Sequence, residues 1–418
     1  MQLTPKSLRL HIGIFGRRNV GKSSLLNAIT QQQVSIVSEF AGTTTDPVEK
    51  PMELLPLGPV LFIDTAGIDD IGILGNLRVE KTQAVFERVD IGVIVTEADK
   101  WGEFEEQILQ ELLQRQLPII IVLNKIDAYI TNQEIINRFS SSEAKHQNIN
   151  IIKLSTKKTA SLLNFRQALL DSAPENFINS PAIVHDLVGA GNLVLFVIPI
   201  DKEAPKGRLI LPEVQAIRDI LDGDAMCLVV KETAIKQALT ELKQPPKLVV
   251  TDSSCFYQAA LDVPLEIPLT SFSILFSRFK SDLLSQAMDT AAIDKLHNGA
   301  KVLISEACSH HPIADDIGRK KIPRLLEKYI NGKLNFDVIQ GLDFPKNLAD
   351  YQLVIHCGAC MFNRRIMLNR VLQCKNLGVP FTNYGLAIAH SLNILCRALS
   401  PFPEALRAYQ KALGTPKG

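Results

Sequence analysis

The chain has 418 residues, too many for one hydrophobic core and enough for two or three domains. Apolar residues make up 46% and charged residues 21%, the balance of an ordinary globular protein rather than a disordered or fibrous one. Lys and Arg number 45 against 44 Asp and Glu, so the formal net charge is +1 and no overall field draws the chain to nucleic acid or to an anionic membrane. No apolar run reaches the roughly 18 residues of a membrane-spanning helix. The first residues run into a strand pattern without a cleavable apolar core. A cytoplasmic protein that binds neither nucleic acid nor membrane is expected. Seven cysteines in a chain of this length do not make a disulfide scaffold; clustered cysteines in a reducing compartment point instead to metal or catalysis. Cys227, Cys255, Cys374 and Cys396 stand singly and read as packing residues.

The first stretch, residues 1–174, alternates strand patterns (LHIGIF, VLFIDT, IGVIVT, PIIIVLN, INIIKLS) with helical segments. That rhythm predicts an α/β domain with a mostly parallel sheet covered by helices. The first strand feeds into Gly16-Arg-Arg-Asn-Val-Gly21-Lys22-Ser23, which fits GxxxxGK[ST] between a strand and a helix. Glycines at Gly16 and Gly21 let backbone N–H groups wrap phosphates at the positive end of the following helix. Lys22 is expected at the β and γ phosphates and the Ser23 hydroxyl on Mg²⁺, with Ser24 beside it in the binding set.

Four further elements follow in order. Gly42-Thr-Thr-Thr-Asp46 occupies the place of a first switch, with Thr44 as the second Mg²⁺ contact. The strand VLFI ends in Asp64-Thr-Ala-Gly67, a carboxylate for the metal's outer shell and a glycine amide for the γ phosphate. The strand PIIIVL ends in Asn124-Lys125-Ile-Asp127, whose Asp can accept two hydrogen bonds from guanine and none of that pair from adenine. Ser155-Thr156-Lys157 then offers a backbone amide to the guanine O6. Lys22, Thr44 and Gly67 are the groups expected at the reacting phosphate. This stretch resembles the Era/TrmE-type branch of GTPases. Two details bear on rate. Ile68 stands where Ras-like proteins carry a water-orienting glutamine, so hydrolysis of GTP to GDP is expected to be slow. Asn19 matches the position that in this branch helps hold K⁺ beside the phosphates; the alternative is a residue that shapes the loop.

Residues 181–268 give strands NLVLFVIPI, AMCLVV and KLVVTD with helices near LPEVQAIRDIL and TAIKQALTEL. With no catalytic constellation, this small α/β module reads as a packing or dimerisation unit. Residues 270–418 open on a helix and then give strands KVLISEA and YQLVIHC, with helices at IPRLLEKYI, RIMLNRVLQCKNL and GLAIAHSLNILCRAL. Cys308-Ser-His310 follows the first of these strands and His356-Cys357-Gly-Ala-Cys360 the second. Both clusters thus fall at carboxyl ends of strands, the ligand-binding edge of open α/β sheets. Three thiolates with an imidazole suit tetrahedral zinc; three thiolates also suit an iron–sulfur cluster with one exchangeable position, for which His310 and His356 are candidates.

These clusters, an N-terminal GTPase and a middle α/β module together resemble the HydF family of [FeFe]-hydrogenase maturation GTPases, across essentially the whole chain. The resemblance implies a [4Fe–4S] cluster on Cys308, Cys357 and Cys360 and a homodimer through the middle module. It also implies a scaffold that carries the two-iron precursor between radical-SAM maturases and apo-[FeFe]-hydrogenase. The alternative is an Era-like GTPase of ribosome or tRNA maturation with a C-terminal zinc module.

Overall fold

The computed structural model describes residues 4–31, 48–54, 57–65, 84–178, 181–200, 209–307, 317–345 and 347–414. The chain divides into two units, Met1–Ser180 and Pro181–Gly418.

In the first unit the strands are β1 Leu10–Phe15, β2 Val48–Leu54, β3 Gly58–Asp64, β4 Ile91–Glu97, β5 Ile119–Asn124 and β6 Ile149–Lys153, in the sheet order β2-β3-β1-β4-β5-β6. β1, β4 and β5 are buried along their whole length. Parallel strands covered on both faces need such unbroken apolar runs. One face packs Ile12 and Val93 with Leu25, Phe165 and Leu169 of the helices Lys22–Gln31 and Thr159–Asp171. The other packs Phe15, Ile94 and Ile121 with Leu109 and Leu112 of the helix Glu103–Gln114. β2 pairs antiparallel with β3, from Val48 opposite Asp64 to Leu54 opposite Gly58. No apolar run signals it, because its sequence VEKPMEL carries the charges and proline of an edge strand. The other pairings are parallel, so β1, β3, β4 and β5 bring their carboxyl ends to one edge.

The second unit holds two four-stranded parallel sheets. The first contains β7 Leu193–Val197, β8 Met226–Val230, β9 Leu248–Thr251 and β10 Leu269–Ser271 in the order β10-β9-β7-β8. The second contains β11 Lys301–Glu306, β12 Asn335–Gln340, β13 Leu353–His356 and β14 Phe381–Asn383 in the order β12-β11-β13-β14. β10 and β14 are three residues each, too short to show a period, and β12 is a polar edge strand.

Where the sequence suggests a break near residue 270, the structure has a shared core. The helix Phe272–Lys280 contributes Phe272, Ile274, Leu275 and Phe276 to a cluster that also holds Phe196 and, from the last part of the chain, Leu386, Leu395 and Leu399. Its sequence FSILFSRFK is apolar on more than one face, so burial on one side only would leave phenylalanines in water. The expected single helix over GLAIAHSLNILCRAL is two, Tyr384–Ser391 and Leu395–Ala398. Asn393 between them takes a left-handed φ of 58°, which no continuing helix tolerates. Among the described residues no helix is long and apolar enough to cross a membrane.

Candidate nucleotide site and thiol loop

The phosphate loop leaves β1 in a conformation that its residue types dictate. Gly16 has φ 147°, and a Cβ there would lie 2.2 Å from the Val95 carbonyl oxygen. Gly21 has φ 103°, and its Cβ would meet the Asn124 side chain at 2.3 Å. Asn19 also sits left-handed, at φ 64°, so shaping the loop is part of its task. Lys22 is buried and donates to the carbonyl oxygens of Gly16 (2.6 Å) and Arg17 (2.8 Å). The ammonium is therefore held inside the loop by acceptors that a phosphate can replace.

Ser23 Oγ donates to Asp64 Oδ2 at 2.9 Å, while Asp64 Oδ1 is buried with no hydrogen-bond partner. Burial pushes the Asp64 carboxyl above its ordinary range, against the Ser23 hydrogen bond and the Lys22 charge. A hydroxyl and a buried carboxylate with a spare oxygen fit a magnesium ion, whose charge would relieve that penalty. Asn19, Gly21, Lys22, Ser23, Ser24 and Asp64 line one cavity of about 340 Å³.

The base-recognition elements meet beside it. Asn124 Nδ2 donates to the Val20 carbonyl at 2.8 Å and ties the end of β5 to the phosphate loop. Lys125, at φ 59°, donates to Glu97 at 2.5 Å. Hydrogen bonds from Lys100 and Lys125 hold the Glu97 carboxyl below the usual range. Asp127 accepts from Lys157 Nζ and from Ser155 Oγ, both at 2.8 Å. Lys157 first and Ser155 second hold its carboxyl down at about 2. Both oxygens that guanine needs are thus engaged, one by an exposed lysine that can swing away. Ser155 is fully buried and Thr156 half-buried next to it. Thr44 and Gly67 lie outside the described residues.

In the second unit, β13 ends at His356 and the chain turns through Cys357 and Cys360. β13 pairs with β11 so that His356 lies opposite Ser305. Cys357 N donates to the Ser305 carbonyl at 2.9 Å, and Ala307 N donates to Cys357 Sγ at 3.1 Å. Cys357 therefore sits beside Ala307, the residue that precedes Cys308 in the sequence. Cys308 and His310 themselves lie outside the described residues, and among the described residues no group of three or more metal-ligating side chains occurs. Cys357 and Cys360 are half-buried, and burial raises the Cys360 thiol against the nearby Lys280 charge.

His356 has a different task from the one its position suggests. It is fully buried, and its Nε2 lies 2.9 Å from Arg370 Nη1. A guanidinium only donates, so Nε2 accepts and Nδ1 carries the proton, which it gives to the Cys357 carbonyl at 2.9 Å. Burial, with Arg370 adding to it, pushes this imidazole down to about 3. Neither nitrogen is left for iron in this arrangement; the ring braces the loop instead. Arg370 also donates to Ser305 Oγ and the Gly341 carbonyl and stacks near Phe344 and Phe362.

Lys280, at the end of its helix, reaches under the same loop and donates to the carbonyls of Ala359, Cys360 and Phe362 at 3.0, 3.1 and 2.8 Å. Burial lowers this ammonium to about 8, with both thiols pulling the other way. Sequence reasoning missed Lys280 and Arg370 because each looks like an ordinary surface charge on a helix. The remaining cysteines divide: Cys374 and Cys255 are buried and Cys227 half-buried, but Cys396 is exposed, on the one-turn helix Leu395–Ala398.

Residues 183–281 match the Hydrogen maturase F dimerization domain and residues 285–401 the Hydrogen maturase F tetramerization domain. The chain belongs to the HydF family. A GTPase domain precedes the two modules: residues 11–125 match the 50S ribosome-binding GTPase model. The module that carries the thiol loop is thus named for assembly, as is the middle one. Among curated relatives, GTPase Der of Wolinella succinogenes is 40% identical over 122 residues, 28% of this chain and 26% of that protein. GTPase Der of Campylobacter jejuni is 34% identical over 233 residues, 50% of this chain and 49% of that protein. The chain therefore spans between a quarter and a half of these relatives' length, and the likeness belongs to the GTPase domain. Solved structures that match include Aquifex aeolicus Era bound to GDP·AlF4⁻, at 23% identity, 60% of this chain, 97% of that chain and a TM-score of 0.33. The G domain of the Thermotoga maritima FeoB iron transporter matches at 19% identity, 39% of this chain, 98% of that chain and a TM-score of 0.30.

Proposed function

We propose that this HydF-family chain binds GTP with Mg²⁺, hydrolyses it slowly, and serves as a scaffold with a [4Fe–4S] cluster on Cys308, Cys357 and Cys360. Its cargo is the two-iron precursor of the [FeFe]-hydrogenase active site. It would be received from radical-SAM maturases and delivered to apo-hydrogenase by a homo-oligomer. The nucleotide part is supported by the Ser23–Asp64 pair in the phosphate-loop cavity and by the Asp127 carboxylate beyond the carboxyl end of β5. The cluster part is supported most by the thiol loop at the end of β13, where the Ala307 amide N–H donates to Cys357 Sγ and the positive charge of Lys280 lies close to both thiols, bound to the loop's carbonyls. Such donors offset the negative charge of thiolates bound to iron.

In the nucleotide site the chain's own groups do the following. Lys22 leaves the loop carbonyls for the β and γ phosphates, and Ser23 and Asp64 turn to the metal. Thr44 and Gly67 are assigned to the γ phosphate, and Asn19 to K⁺. Lys157 yields Asp127 to the guanine N1 and N2 groups, while Ser155, Thr156 and Lys157 supply the amide for O6. With Ile68 at the water-orienting position, positioning and charge carry the hydrolysis. A cluster with three protein thiolates supplies one exchangeable iron for a cargo to bind.

Anaerobic iron and acid-labile sulfide analysis of the reconstituted full chain tests this reading. About four irons and four sulfides per chain are expected. Stoichiometric zinc without sulfide would overturn the cluster and favour the zinc-module alternative.

A further inference from the structure

Lys280 is 2% exposed, and an ammonium has three N–H donors. All three are used on backbone carbonyls of one short turn, at residues 359, 360 and 362. The turn needs such a hold. Ala359 is a buried non-glycine residue at φ 53°, a conformation that persists only where its surroundings impose it. The end of the lysine's own helix is fixed as well, because Arg364 donates to the Phe279 carbonyl at 2.6 Å. Residue 280 lies in the stretch matched by the dimerization domain and residues 357–362 in the stretch matched by the tetramerization domain. A single side chain therefore links the seating of the middle module to the loop that carries two thiols.

We propose that Lys280 is a positioning residue of the thiol loop: its ammonium holds residues 359–362 in the turn that presents Cys357 and Cys360, and its charge behind them makes a cluster bound there easier to reduce. The loop-holding part stands on the hydrogen bonds alone. The charge part rests on the cluster proposed above.

The two parts separate in three variants of the full chain. Lys280→Met removes donors and charge, Lys280→Gln keeps an amide donor without charge, and Lys280→Arg keeps both. In the metal-free protein, amide hydrogen exchange over residues 357–362 should be about tenfold faster in Lys280→Met, with the β11–β13 core still protected and Lys280→Arg near wild type. Exchange that is unchanged, or a loss of protection across the whole sheet, overturns the positioning role. Should Lys280→Met not fold, Lys280→Gln carries the same comparison at a smaller size. In the reconstituted protein, the reduction midpoint should fall in Lys280→Met and Lys280→Gln alike and be restored by Lys280→Arg. A midpoint that does not follow the charge overturns the second part. A wild type that takes up no iron and sulfide sinks the cluster reading, while the exchange measurement still decides the positioning role.

Discussion

The phosphate loop and the thiol loop both leave the carboxyl end of a parallel strand, yet they are held by opposite means. Around residues 16–23 the backbone bends outward to offer N–H groups, and the lysine that belongs to the ligand waits on the loop's own carbonyls. Around residues 357–362 the backbone carbonyls turn inward onto a lysine from another module. The first arrangement is a binding site whose cation is borrowed from its own sequence. The second is a loop whose shape depends on a residue about 80 positions earlier.

The largest expected effect separates the two regions outright. Lys22→Ala should weaken GTP binding by 10²-fold or more, since a buried cation is lost from the phosphate site, and leave iron content unchanged. Cys357→Ser should do the reverse, losing most of the iron with nucleotide affinity intact. Equilibrium binding of a fluorescent GTP analogue and metal analysis on the same preparations read both. Loss of iron in Lys22→Ala would mean that the regions are not independent.

Specificity comes next. Asp127→Asn replaces a carboxylate that accepts two hydrogen bonds by an amide that accepts on one side only. GTP affinity should fall by roughly 10²–10³-fold, and xanthosine triphosphate, which presents an acceptor where guanine has N2, should bind better than GTP. Competition binding with the two nucleotides checks the order.

This contrast also explains what the sequence could tell. Local ligand chemistry leaves local signatures: Gly16, Gly21, Lys22 and Ser23 are close neighbours because one strand-to-helix junction must do the wrapping. Asn124 and Asp127 are legible for the same reason. The thiols at 357 and 360 were visible too, but not their support, because Lys280, Arg370 and Ser305 reach the loop only through tertiary packing. His356 shows the cost of reading spacing alone: next to a CxxC it resembles a ligand, and only the Arg370 contact reveals a neutral brace. The core shared across residue 270 stayed hidden similarly, since FSILFSRFK marks a helix without saying that the last part of the chain packs on it.

A smaller effect concerns the pH dependence of the GTPase unit. His11 on β1 is buried, and burial pushes its imidazole down to about 4, against a hydrogen bond with the Lys6 carbonyl. The unfolded chain takes up a proton near pH 6.5 that the folded unit refuses, so the unfolded state binds more protons between those values. Stability is therefore full above about 6.5 and falls as the pH drops toward 4, by at most on the order of 3 kcal/mol. His11→Gln should flatten the dependence of Tm on pH in that window. An unchanged slope would move the acid sensitivity elsewhere.

The smallest effect tests how the guanine pocket opens. Lys157 is 81% exposed in its side chain, so its ion pair with Asp127 is screened by solvent and weak. Guanine must displace that pair to reach Asp127, whereas Ser155, fully buried, can stay hydrogen-bonded as the base enters. Lys157→Ala removes the competitor and leaves the Ser155 bond and the backbone amide in place. GTP affinity should then rise, by no more than about threefold, with association faster and dissociation little changed. Stopped-flow binding reads the two rates separately. A fall in affinity would show that Lys157 holds the bound base rather than guarding the empty carboxylate, which would make this pocket, like the thiol loop, dependent on a lysine for its working shape.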